Sequence, residues 1–121
     1  GEASWVDSEK QMDAVTAVSG SGPAYLFYFT ETMISAGTSL GLSQELASQL
    51  AKQTIIGAVA MLEEDASPAS LRRNVTSPQG TTEAALDVLM AETGGLGKLM
   101  RQTLQAAAQR SRELAEASEK S

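Results

Sequence analysis

The chain is 121 residues long, 42% hydrophobic but only 4% aromatic, with 9 basic against 15 acidic side chains for a formal net charge of -6. That length suits one domain, spanning 1–121, with a modest core. The absence of cysteine and histidine excludes a disulfide framework, a thiolate nucleophile, a histidine-dependent triad and the usual zinc site, so no metal is expected. The basic residues are spread too widely to neutralise a phosphate backbone, which argues against a nucleic-acid partner.

The apolar content is mostly Ala, Leu, Val and Met, which favours closely packed helices and an all-α fold. No stretch resembles a signal peptide, and Thr30, Glu31 and Thr32 interrupt the longest apolar run, so a cytoplasmic protein without a membrane partner is expected.

In chain order, Gly1 to Asp13 is polar and reads as a lead-in or as the cut end of something longer. Pro23 suits the first turn of a helix that runs to the stop signal Gly41. Tyr25 or Leu26, Phe29, Met33, Ala36 and Leu40 repeat with helical period, while Phe27, Tyr28 and Ile34 lie off that stripe. This helix should therefore be buried on two sides, the second against another subunit.

Ser43 should cap the next helix, which carries Leu46, Leu50, Ile55, Ala58, Met61 and Leu62, has a close backbone approach at Gly57 and ends near Asp65. Ser67 and Pro68 cap and start a short helix ending near Asn74. Another begins at Gly80 or Thr81 and breaks at Gly94 and Gly95. The last carries Leu96, Met100, Thr103, Ala107 and Leu114 and fades into the charged tail Glu116 to Ser121. Roughly five or six helices with short connections make a bundle.

Gly20 and Gly22 after Ala14 to Val18 invite a dinucleotide-binding reading, but the third glycine of that fingerprint would fall at Tyr25 and Pro23 removes a backbone donor. At Ser43, where a ribose partner belongs, and at its neighbours Leu42 and Gln44 no acidic residue stands. Gly94, Gly95 and Gly97 lack the Lys-Ser or Lys-Thr of a phosphate-binding loop.

The stretch NVTSPQGTTEAAL, Asn74 to Leu86, holds more hydroxyls than a connection requires. Free N–H groups of the helix start and its dipole would favour a small anion beside Ser77 and Thr82, with Gly80 admitting it to the backbone and Pro78 stiffening the turn. Ordinary capping by Ser77 or Thr81, with Glu83 as first-turn charge, explains the same residues. The residues alone leave both readings open.

DAVTAVSGSGPAY (Asp13 to Tyr25) and NVTSPQGTTEAAL together resemble the C-terminal half of pyrroline-5-carboxylate reductases, and GLSQELASQLAKQTIIGA and GGLGKLMRQTLQAAAQRSRELA fit in order and spacing. The resemblance implies a helical domain that intertwines with a second copy as a homodimer, sometimes within larger rings, and an N-terminal dinucleotide-binding domain absent from this chain. It implies reduction of 1-pyrroline-5-carboxylate to L-proline with NADPH or NADH, bound mainly by that other domain, so the chain alone should hold no cofactor and be inactive.

By the same resemblance Ser77 binds the substrate carboxylate together with backbone N–H groups around Gly80, Thr81 and Thr82. Thr82 is the catalytic candidate, its hydroxyl beside the ring nitrogen. Ser19, Ser21 and Pro23 fall near the nicotinamide end. Many family members carry two glycines after the proline; here the first is Gln79, which suits a positive φ badly. Among carboxylates, Glu31 reads as a partnered or interface charge and the run Glu63, Glu64 and Asp65 as a solvated helix end, with Asp65 near the substrate region that the resemblance implies. A non-catalytic helical dimerisation module and a stand-alone anion-binding domain are the competing classes, and a glycine-rich βαβ half encoded upstream would separate the first reading from both.

Overall fold

The computed structural model of the chain describes residues 9–63 and 67–120. Six α-helices and one π-helical turn follow one another: α1 (Glu9–Val15), the π turn (Thr16–Gly20), α2 (Gly22–Ser39), α3 (Gln44–Met61), α4 (Pro68–Asn74), α5 (Thr81–Leu89) and α6 (Leu96–Lys120). No strand occurs among the described residues, as the all-α expectation requires.

The punctuation behaves as its chemistry dictates. At the end of α2, Gly41 adopts φ 104°. This left-handed residue lets the Leu42 N–H reach the Gly37 carbonyl at 3.3 Å and its own N–H reach Thr38 at 3.0 Å, a Schellman closure. Ser43, extended at φ -66° and ψ 154°, accepts the Leu46 N–H and caps α3, with the contact at 3.1 Å. Ser67 does the same for α4 through the Ser70 N–H at 3.1 Å, with Pro68 in the first turn.

Five boundaries or contacts differ from expectation. Helix α5 ends at Leu89, short of the break expected at Gly94 and Gly95. The polar lead-in is helical from Glu9, and its buried Asp13 bonds the half-buried Ser111 far along the chain. Helix α3 ends at Met61 with Leu62 as its cap; Glu64 and Asp65 lie outside the described residues, so the Asp65 assignment does too. A Cβ on Gly57 would meet nothing within 4 Å, so no backbone of this chain approaches it among the described residues. Helix α6 does not fade at Glu116. Its charges are spaced to support the helix, with Arg110 to Glu113 at 3.1 Å and Arg112 to Glu116 at 3.9 Å.

The chain divides into two compact units, one of residues up to Tyr25 with Val88 onward, the other Leu26–Asp87. In the first, α1 and the π turn pack on α6. Ala17 is 1% exposed. The Ser111 hydroxyl donates to the buried Asp13 carboxylate at 2.7 Å, and the Tyr25 hydroxyl donates to the Ala17 carbonyl at 2.7 Å.

In the second unit the buried apolar residues are small, Ala47 and Ala51, and α2 meets α3 through Gly37 and Ala47. Phe27 and Ile56 remain 70% and 69% exposed, and no residue of α2 is buried. The two-sided burial expected of α2 is therefore absent within one chain, because alanine-sized contacts do not cover its larger side chains. Leu26, Phe27, Ile34, Ile55, Ile56 and Val59 line an open apolar groove of about 740 Å³.

Candidate functional site

The segment between α4 and α5 is a tight turn set against a helix start. Thr76 closes α4: its hydroxyl donates to the Arg72 carbonyl at 2.6 Å and its N–H to the Arg73 carbonyl at 3.1 Å. Ser77 then opens a four-residue turn in which the Gly80 N–H donates to the Ser77 carbonyl at 3.1 Å. Pro78 presets the first central position. Gln79 occupies the second with φ 59°, the only non-glycine at positive φ among the described residues. A positive φ at this position is the type II pattern, which favours glycine. The strain anticipated at Gln79 is present.

Gly80 serves two purposes. Its carbonyl accepts the Ala84 N–H at 3.2 Å and so starts α5. A Cβ there would stand 3.1 Å from the Ser77 carbonyl oxygen and 3.4 Å from the Ser77 Cβ, so a side chain would require the turn to give by a few tenths of an ångström. Because the Gly80 N–H is spent on the turn, the backbone donors left at the helix start are those of Thr81, Thr82 and Glu83.

The hydroxyls of Ser77, Thr81 and Thr82 take part in none of the described residues' side-chain hydrogen bonds, in contrast to the caps Ser43 and Ser67. Ser77, Thr81 and Thr82 are exposed, and Glu83 is half-buried. The capping reading, which requires Ser77 or Thr81 to accept a first-turn N–H, finds no such bond. What stands at the start of α5 is a group of unspent donors with the positive end of the helix dipole behind them, a setting that suits a carboxylate.

Ser19, Ser21 and Pro23 lie at the π turn, in the other unit. Ser19 donates to the Val15 carbonyl at 2.8 Å. The Ser21 N–H reaches back to the Thr16 carbonyl at 2.9 Å, while its half-buried hydroxyl makes no bond to the described residues. Glu31 is exposed and borders the apolar groove. Sequence reasoning missed three features here. Tyr25 appeared only as one of an apolar stripe, Asp13 gave no local hint of a partner at Ser111, and no periodicity announces a π turn. No group of three or more acidic residues among the described ones is placed to hold a metal, and no helix among them is long and apolar enough to cross a membrane.

The fold and the turn define an all-helical domain with bare apolar faces and a group of free donors at a helix start. A family model described as pyrroline-5-carboxylate reductase dimerisation matches residues 9–114, and the chain belongs to that family. It is 56% identical over 117 residues to a pyrroline-5-carboxylate reductase of Pseudomonas aeruginosa, covering 96% of this chain and 42% of that protein. Against pyrroline-5-carboxylate reductase 1 of Bacillus subtilis the identity is 42% over 113 residues, with 93% and 37% covered.

Among solved structures, a pyrroline-5-carboxylate reductase from Coxiella burnetii matches with a TM-score of 0.80 at 47% identity, covering 88% of this chain and 39% of that one. The Plasmodium falciparum pyrroline carboxylate reductase, solved with NADP bound, matches with a TM-score of 0.79 at 38% identity, covering 88% and 40%. The chain thus spans about two fifths of the length of these relatives.

Proposed function

We propose that this chain is the helical, dimer-forming part of a cytoplasmic reductase that converts 1-pyrroline-5-carboxylate to L-proline with NADPH or NADH, and that the turn Ser77–Gly80 and the start of α5 hold the substrate carboxylate. One observation carries this reading: the hydroxyls of Ser77 and Thr82 and the first-turn N–H groups are unspent beside a turn in which Gly80 leaves little room for a side chain. Ser77 and the Thr81 and Thr82 N–H groups donate to the carboxylate. The Thr82 hydroxyl lies beside the ring nitrogen. A threonine hydroxyl is too weak an acid to give up its proton outright, so it passes one on from water as the imine becomes an amine.

The described residues contain no glycine-rich strand-turn-helix for a dinucleotide's phosphates. The free hydroxyl of Ser21, with Gly20 and Gly22 on either side, would be the group that meets the carboxamide end of a nicotinamide. When bound, that group supplies the hydride for the imine carbon. A second copy of the chain covers the apolar groove of α2 and α3, giving a homodimer that larger rings of dimers can use as their unit.

The test is a pair of substitutions in the intact enzyme. Ser77→Ala removes one charge-assisted hydrogen bond worth about 1.5 to 3 kcal/mol and should weaken apparent substrate affinity roughly tenfold or more. Thr82→Ala should lower kcat more than it raises KM. A loss of thermal stability without any kinetic defect in either variant would return the turn to a capping role.

A further inference from the structure

The sequence offers no reason for the helical path to widen between Thr16 and Gly20, yet the turn there is held by a specific bond. In an unbroken α-helix the Ser21 N–H would serve the Ala17 carbonyl. Here it reaches one residue further back, to Thr16 at 2.9 Å, which leaves the Ala17 carbonyl without its usual donor. Ala17 is 1% exposed, so water does not replace that donor, and a buried carbonyl left alone is unfavourable. The Tyr25 hydroxyl, from the first turns of α2, fills the place at 2.7 Å. The π turn itself packs on α6 together with α1, and the Asp13 to Ser111 bond at 2.7 Å ties α1 to the same helix.

We propose that Tyr25 is a positioning residue: its hydroxyl latches the π turn open and thereby fixes the direction in which Ser19 and Ser21 are presented to a nicotinamide. Wide turns in helices gather at functional sites, and this one lies where α1 hands over to α2 through the bend at Ser21. Removing the phenolic donor favours the ordinary α register, in which Ser21 returns to Ala17. One residue of register rotates the following side chains by about 100° around the helix. The cofactor part of the inference rests on the reductase reading above; the latch does not.

The experiment compares Tyr25→Phe, Ser21→Ala and the parent in the intact enzyme. Three quantities are measured: amide hydrogen exchange at Ser21 without ligands, the Kd for NADPH by fluorescence, and the KM for the pyrroline substrate. Tyr25→Phe should speed exchange at Ser21 and weaken NADPH binding, each by roughly tenfold, and leave the substrate KM within about twofold. Unchanged exchange overturns the latch, and faster exchange with unchanged NADPH affinity overturns the positioning role. If Ser21→Ala leaves NADPH binding intact, the nicotinamide reading of this segment fails, and exchange alone decides the latch. Should Tyr25→Phe not fold, 3-fluorotyrosine at position 25 replaces it. Its phenol ionises at lower pH than tyrosine's, and a phenolate cannot donate, so exchange at Ser21 should accelerate at a lower pH than in the parent. No such displacement overturns the proposal.

Discussion

In the unit of α1, the π turn and α6 the buried Asp13 carboxylate and the buried Ala17 carbonyl are both satisfied internally, by Ser111 and by Tyr25. The unit from Leu26 to Asp87 keeps its serine and threonine donors at Ser77 and Thr82 free and leaves Phe27 and Ile56 largely bare. The same composition therefore builds two kinds of helix packing. In the first, long-range hydrogen bonds fix a small buried centre; in the second, alanine-sized contacts hold helices whose large side chains await another surface. The contrast shows that apolar content alone does not make a core, because location relative to neighbouring helices decides whether that content is buried.

The largest expected effect tests the bare surface. Ile56→Asp costs little in a solitary chain, since the side chain is already exposed. If a second copy covers the groove, the buried charge should cost about 3 kcal/mol and raise the dimer dissociation constant roughly a hundredfold. Sedimentation equilibrium over a concentration series measures it, and an unchanged assembly would make the groove ordinary surface.

A smaller effect probes the self-contained unit. Ser111→Ala removes the donor that satisfies the buried Asp13 carboxylate and should destabilise the fold by about 1 to 3 kcal/mol. Urea unfolding at constant protein concentration reads this directly. A loss below about 0.5 kcal/mol would mean that the pair contributes no more than a surface contact.

The smallest effect has the opposite sign. Gln79 sits at φ 59°, and Gln79→Gly removes that strain while adding freedom to the unfolded chain, for a net gain of about 0.5 kcal/mol. A rise in Tm of a few degrees is expected, with substrate KM unchanged or lower. A fall in Tm would show that the Gln79 side chain makes a compensating contact once the molecule is assembled.

Elements announced by local chemistry were legible in the sequence. Ser43 and Ser67 cap the helices they precede, Pro68 starts α4, and Gly41 ends α2 because only these residue types suit those backbone positions. The hydroxyl turn was legible as a place, since Pro78 and Gly80 bound it and Thr81 opens α5. Its use was not, because an unspent hydroxyl and a capping hydroxyl have the same sequence. Features made by distant partners stayed hidden. Asp13 and Ser111 are 98 positions apart, and the bond from Tyr25 to Ala17 uses an acceptor that the wide turn at Thr16–Gly20 leaves open. Burial of α2 is not found within one chain, because helical period says which side chains share a face, without saying whether anything in the same chain lies opposite.

The bare faces of α2 and α3 also set a timetable for a newly made chain. Until Phe27, Ile56 and their neighbours find a surface, they can join any other unfinished chain. Pairing is second order in concentration, so the waiting time lengthens as expression falls, whereas helix formation within one chain takes about a microsecond. Slow synthesis thus prolongs the solitary state, while crowded synthesis brings the right partner and wrong ones together. On the proposed pairing, the groove that a second copy covers stays open in the single chain, and that is the interval in which chaperones matter most.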